Sequence, residues 1–234
     1  MQTKEAVENS AASFESEDGM KAVLFDLDGT LVDSMWIWST FLTDYLEACF
    51  QITPTEEMCD AVRHMSLQQS SVYVKEELRL SETPEEIRAA WMDMVYDAYA
   101  NKIRLKPFVR EYIHRLRGEG VKIGLVTACD MELCKACLSG NRAEKLFDAV
   151  IYADEVGAQK SEPEIYLAAL EKLGTEPKDA ALFDDIITAI RAAKKAGLYT
   201  VAVLDENSNK NEALKGAADT YISDFSECLE RKLW

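Results

Sequence analysis

Six short apolar runs punctuate this chain: KAVLFDL (21–27), VKIGLVT (121–127), DAVIYA (148–153), AALFDD (180–185), YTVAVL (199–204) and the weaker DTYIS (219–223). Their apolar residues run on instead of alternating with polar ones, as strands do when both faces of a sheet are covered. Helical stretches separate the later runs. PFVREYIHRLRGEG (107–120) has Pro at a favoured first-turn position and glycines at its end. EPEIYLAALEKLG (162–174) and ITAIRAAKKAGL (187–198) finish on basic residues and Gly, a helix C-terminus pattern. Strands alternating with helices predict an α/β fold: a Rossmann-like parallel sheet with helices on both faces.

One segment breaks the rhythm. Residues 35–104 hold no convincing strand but read as amphipathic helices near 35–50, 55–63, 66–79 and 84–101, the last opened by Thr83-Pro84-Glu85-Glu86. The expected organisation is therefore a core of residues 20–34 and 105–234, interrupted by an inserted α-helical cap subdomain, 35–104. The chain leaves the core near Ser34 and returns near Lys106-Pro107, so both crossings are hinge candidates. Residues 1–19 are polar and acidic, lack the apolar centre of a signal peptide, and read as a flexible tail.

In open parallel sheets, ligands bind at the carboxyl ends of the strands. The first run ends in Asp26 and Asp28, followed by Gly29 and Thr30; the second ends in Thr127-Ala128. A loop after the third reaches Lys160, and the fourth ends in Asp184-Asp185. Each is ordinary by itself: Asp before Gly closes many strands, paired acids cap helices, and loop lysines are commonly solvated. Together they put four carboxylates, a hydroxyl and an ammonium along one edge. Like charges at short range oppose each other's ionisation, and a hard divalent cation with a nearby ammonium relieves that cost. Mg2+ fits such a donor set, and Thr127 and Lys160 suit phosphate oxygens.

Four segments in order, DLDGTLVDS, LVTACD, the lysine of QKSEPEIYL and FDDIITAIRAAKKAG, resemble the haloacid dehalogenase superfamily, in its helical-cap, phosphatase-like branch. The resemblance runs from Lys21 to Ile222. It implies that Asp26 is a nucleophile forming an aspartyl-phosphate, and that Asp28 protonates the leaving oxygen and then activates water. It further implies that Thr127 and the Ala128 N–H hold a phosphate oxygen, with Lys160 neutralising charge on the nucleophile and the transferring group. Mg2+ would sit on Asp26, the Asp28 backbone carbonyl and Asp185, with Asp184 a more distant or water-mediated partner. Gly29 and Thr30 begin the turn toward the cap and are counted with the phosphate-binding residues. The acid at Asp28 favours phosphoryl transfer over dehalogenation, since halide needs no proton to leave.

Three positions depart from the family pattern: Ile186 stands for a Ser, Ala189 for a Gly, and Ser161 for the Pro after the loop lysine. The implied activity is an Mg2+-dependent phosphatase for a small phosphorylated metabolite, a sugar phosphate or phosphoglycolate-like ester. A phosphomutase of the beta-phosphoglucomutase type and a non-catalytic phospholigand-binding protein stay open. In the cap, Trp36, Arg63 and His64 are candidate substrate contacts. Trp36 and Trp38 read either as one wall of a substrate pocket that shuts out water or, equally, as packing between cap and core; for Arg63-His64 a solvated pair is the alternative.

The net charge, 26 − 42 = −16, argues against nucleic acid and anionic membranes as partners. No apolar run approaches the roughly 20 residues that span a bilayer. With six cysteines and no export signal, reduced thiols and a cytoplasmic location are expected. A monomer or weak homodimer is the expected state.

Overall fold

The computed structural model describes residues 19–63, 65, 67–204 and 211–234, the side chain of Arg63 excepted. The tail expectation for 1–19 thus falls almost wholly outside the described residues. Six strands form one parallel sheet: β1 (Ala22–Phe25), β2 (Lys122–Thr127), β3 (Ala149–Tyr152), β4 (Ala180–Asp184), β5 (Tyr199–Val203) and β6 (Thr220–Ile222). Their order is β3-β2-β1-β4-β5-β6, so the chain winds outward in one direction from β1 and then in the other from β4. That reversal opens a crevice at the carboxyl ends of β1 and β4.

The helices are α1 (Met35–Phe50), α2 (Glu56–Arg63), α3 (Leu67–Leu78), α4 (Pro84–Asn101), α5 (Val109–Gly118), α6 (Met131–Gly140), α7 (Ala153–Val156), α8 (Pro163–Leu173), α9 (Ile187–Ala196), α10 (Asn211–Ala217) and α11 (Ser226–Glu230). None is long and apolar enough to cross a membrane, among the described residues.

The pleat explains why the strand runs are continuously apolar. Val23 and Phe25 of β1, with Ala181 and Phe183 of β4, face a core shared with α5, α6 and α11. Ala22, Leu24, Ala180 and Leu182 face the opposite core, under α8 and α9. Both faces of β1 are sealed, so polar residues enter only where the strand stops. Phe25 stacks on Phe183 with ring centroids 4.9 Å apart, and truncating either ring to Ala would cost about 3–5 kcal/mol.

The inserted helices α1–α4 pack around Phe41, Tyr45, Leu46, Ile87 and Trp91, a cluster separate from both sheet faces. Thr83 opens α4 with a capping box: its hydroxyl accepts from the Glu86 N–H at 3.2 Å, and Glu86 accepts from the Thr83 N–H at 2.7 Å. This helix belongs to two cores. Ile87 and Trp91 lie in the helical cluster, whereas Val95, Ala98 and Tyr99 lie in the sheet's core. It reaches there by crossing α6 closely at Gly140, where an added Cβ would meet the Ala100 carbonyl oxygen at 2.0 Å. The two connections to the insertion are themselves joined: Val32 bridges to Leu105, and the Lys106 N–H donates to the Leu31 carbonyl at 2.8 Å. That tie delays α5, which begins at Val109 behind a left-handed Phe108 (φ 65°) and not at Pro107.

Candidate active site

Strand register builds the site. Phe25 pairs with Phe183, and the Asp26 N–H donates to the Phe183 carbonyl at 3.0 Å, so Asp26 emerges beside Asp184. Oxygens of Asp26, Asp184 and Asp185 all lie within 4.8 Å of one another. Asp26 and Asp184 are buried, Asp185 partly so. Lys160, 9% exposed, reaches in from the loop after α7, with Nζ 2.6 Å from Asp26 Oδ1 and 2.7 Å from Asp184 Oδ2.

The electrostatics follow from burial. Desolvation lifts the Asp26 pKa well above the usual carboxylate value; Lys160 pulls it down, while Asp184 and Asp185 push it up. Asp185 is raised as well, by burial first and then by Asp184. Burial alone would lower the pKa of the Lys160 ammonium, but Asp184 and Asp26 outweigh it and hold that pKa up. One ammonium facing three carboxylates leaves negative charge in a dry place. Hard oxygen donors this close together fit a divalent cation such as Mg2+.

The surrounding residues orient these groups. Thr30, fully buried, donates its hydroxyl to Asp185 Oδ1 at 2.9 Å. The Ile186 N–H donates to Asp184 Oδ1 at 2.9 Å. At the end of β2, the Thr127 oxygen accepts from the Cys129 N–H at 3.0 Å, which leaves the hydroxyl proton to donate elsewhere. Thr127, Ala128, Asp26, Asp28, Lys160 and Asp185 all line one cavity of about 490 Å³.

Gly29 has a reason to be glycine beyond turning the chain. Its φ is +79°, and an added Cβ would stand 2.4 Å from Asp185 Oδ2. Gly29→Ala is therefore expected to displace the Asp185 carboxylate and destabilise the fold by about 1–3 kcal/mol. Thermal unfolding with and without divalent cation checks this. The variant should lose most of any cation-induced rise in Tm, and an undiminished rise would show that Asp185 had not moved.

Asp28 stands apart from the carboxylate cluster. Its Oδ1 accepts hydrogen bonds from Ser34 Oγ at 2.6 Å and Tyr99 Oη at 2.7 Å. Tyr99 lies on α4 and is 1% exposed. Sequence reasoning missed it: tyrosine near a helix end carries no motif, and its partner lies 71 positions away. Because one of its hydrogen-bond donors goes, Tyr99→Phe is expected to lower kcat about 5- to 30-fold with KM changing less. Steady-state kinetics test it; an unaltered kcat would mean that Asp28 is oriented without Tyr99.

The cap candidates fare unequally. Trp36 borders a different cavity, of about 520 Å³, and its Nε1 donates to the Asp33 carbonyl at 3.0 Å. Trp38 lines the cavity over Asp26 instead. Two residues on a helix point about 200° apart, so the pair cannot share one wall. His64 and the Arg63 side chain lie outside the described residues. Cys134 and Cys137 are buried in the sheet's core, and the cysteines are unpaired.

A family model described as haloacid dehalogenase-like hydrolase matches residues 23–203. Among curated proteins, a phosphorylated carbohydrates phosphatase of Thermotoga maritima is 25% identical over 216 residues, covering 90% of this chain and 97% of its own. A validoxylamine A 7'-phosphate phosphatase of Streptomyces hygroscopicus subsp. limoneus is 28% identical over 219 residues, covering 88% and 95%. Among solved structures, a candidate beta-phosphoglucomutase from Thermotoga maritima superposes with a TM-score of 0.81 at 24% identity, covering 92% of this chain and 100% of that one.

Proposed function

Because this chain belongs to the haloacid dehalogenase-like hydrolase family, we propose that it is an Mg2+-dependent phosphatase of small phosphomonoesters. The observation that carries the reading is Lys160 set between Asp26 and Asp184, at 2.6 and 2.7 Å, beside a third carboxylate. Such a cluster suits a cation and a phosphoryl group together.

In this mechanism an Asp26 carboxylate oxygen attacks phosphorus and the ester P–O bond breaks. The departing alkoxide takes a proton from Asp28, giving alcohol and an aspartyl-phosphate. Asp28 then removes a proton from water, whose oxygen attacks phosphorus and releases phosphate and Asp26. Thr127, with the Ala128 N–H, holds a phosphoryl oxygen, and Lys160 balances the charge of Asp26 and the transferring group. Asp26, Asp185, the Asp28 carbonyl and, at longer range, Asp184 would hold Mg2+, which supplies charge neutralisation of the phosphoryl oxygens.

The helices α1–α4 act as a cap over this site, with boundaries near residues 35 and 104. The protein acts in the cytoplasm as a monomer or weak homodimer, a setting its unpaired cysteines suit.

The test is phosphate release from a panel of phosphorylated metabolites, sugar phosphates first, with and without Mg2+. Release that is abolished by chelation and restored by Mg2+ is expected. No release from any ester would overturn the reading, and faster interconversion of sugar 1- and 6-phosphates than release would favour a mutase.

A further inference from the structure

We propose that the site prefers phosphomonoesters whose alcohol portion is apolar over phosphorylated polyols; this rests on the phosphatase reading above. Besides the residues already assigned roles, the cavity is lined by Met35, Trp38, Leu67, Met92, Leu133 and Ile186, with Cys129, with Tyr99, whose hydroxyl is given to Asp28, and with Asp130, whose carboxylate caps α6. Lys160 is the one Lys, Arg or His lining the cavity among the described residues, and both its neighbours are carboxylates. A polyol entering here would trade water for a surface with few hydrogen-bonding groups, and each unmatched hydroxyl would weaken binding. A second anionic group on the substrate would find no spare cation among them.

A further observation points the same way. Met35 and Ile186 are 50% and 46% exposed, large apolar side chains left in water at the mouth of the site. Two exposed apolar side chains lining the same cavity offer a surface that an apolar ligand can cover, and methionine adapts to apolar groups of varied shape. A neighbouring cavity has a mixed lining. A second cavity, about 330 Å³, shares Trp38 and Leu67 with the first and runs between α1, α2 and α3 past Phe41, Leu42 and Val62. Its wall includes Ser70, 1% exposed, whose hydroxyl has no hydrogen-bond partner among the described residues. That neighbouring space is lined by apolar and polar groups alike, so the preference is argued from the first cavity.

The experiment compares primary alkyl esters, whose leaving groups are chemically matched: ethyl, butyl and hexyl phosphate against glycerol 1-phosphate and glucose 6-phosphate, all with Mg2+. The expected result is a rise in kcat/KM of about three- to fourfold per methylene added, the burial value of one CH2, with hexyl phosphate surpassing both polyol esters. The double variant Met35→Gln, Ile186→Ser changes two exposed positions, and an unaltered Tm will verify its fold. It should reduce the hexyl-to-glycerol phosphate ratio at least about fivefold, since two apolar contacts are lost. Polyol esters turned over as well as or better than hexyl phosphate would overturn the inference and leave the phosphatase reading standing. A flat dependence on chain length would overturn it too, meaning that Met35 and Ile186 pack against each other or the cap and not against substrate. Absence of phosphate release from either series would instead remove the phosphatase reading itself.

Discussion

Asp26→Asn is expected to abolish phosphate release, by at least about 10³-fold, while making the metal-free protein more stable at neutral pH. The first half follows from the role: an amide cannot attack phosphorus to form the acyl phosphate. The second follows from burial. The folded-state pKa of Asp26 is raised, with desolvation as the leading cause. A carboxyl group raised in this way stabilises the fold when protonated, and that contribution disappears as pH climbs through its folded-state value. At neutral pH the ionised group is a cost that asparagine, of the same shape, removes. Lys160 keeps its partner Asp184 at 2.7 Å, so no buried ammonium is stranded. Each kcal/mol recovered should raise Tm by about 2–4 °C, and the advantage should shrink as pH falls and the wild-type carboxyl protonates. Thermal scans at several pH values, beside a phosphate-release assay, read both effects. Retained turnover would remove Asp26 as nucleophile, and a lower Tm at neutral pH would show that its charge is better compensated than its burial implies.

Lys160→Met is expected to harm both stability and activity. The side chain is 9% exposed and approaches Asp26 and Asp184 at 2.6 and 2.7 Å. Deleting one partner of a buried ion pair leaves uncompensated charge and costs about 3–5 kcal/mol, which for a chain of this size is about 10 °C of Tm. Without the ammonium, the raised Asp26 carboxyl should protonate more readily still. The loss should therefore be largest near neutral pH and diminish toward the ordinary carboxylate range near pH ~4. Turnover should fall about 10²–10³-fold, the usual effect of removing one charge-stabilising donor. Differential scanning calorimetry across pH and steady-state kinetics check the two halves. A Tm loss independent of pH would assign Lys160 to packing alone.

Much of the fold was legible because burial on both faces writes a simple signal. Val23-Leu24-Phe25 and Ala181-Leu182-Phe183 are continuously apolar for the one reason that helices cover both sides of the sheet. The four inserted helices were equally plain, since their apolar faces repeat at helical spacing and Thr83 and Glu86 mark the start of α4. The start of α5 was not legible. Pro107 looks like a first-turn residue, but hydrogen bonding of Lys106 to Leu31 holds the chain until Phe108 turns it. Trp36 and Trp38 look like a pair in sequence, but two residues two apart point apart on a helix, and they border different cavities.

What the sequence determined by itself was the chemistry available: which strand ends carry Asp26, Asp28, Thr127 and Asp184-Asp185, and that a loop lysine lies between two of them. Those residues sit where apolar runs stop, and that edge can be read along the chain. Tertiary structure alone decided which of them meet. Register between β1 and β4 sets Asp26 beside Asp184, close approach reserves position 29 for glycine, and α4 carries Tyr99 to Asp28 across 71 positions. Contacts of that kind depend on how elements pack in three dimensions, and side chains far apart in sequence leave no periodic mark of the neighbour they will find.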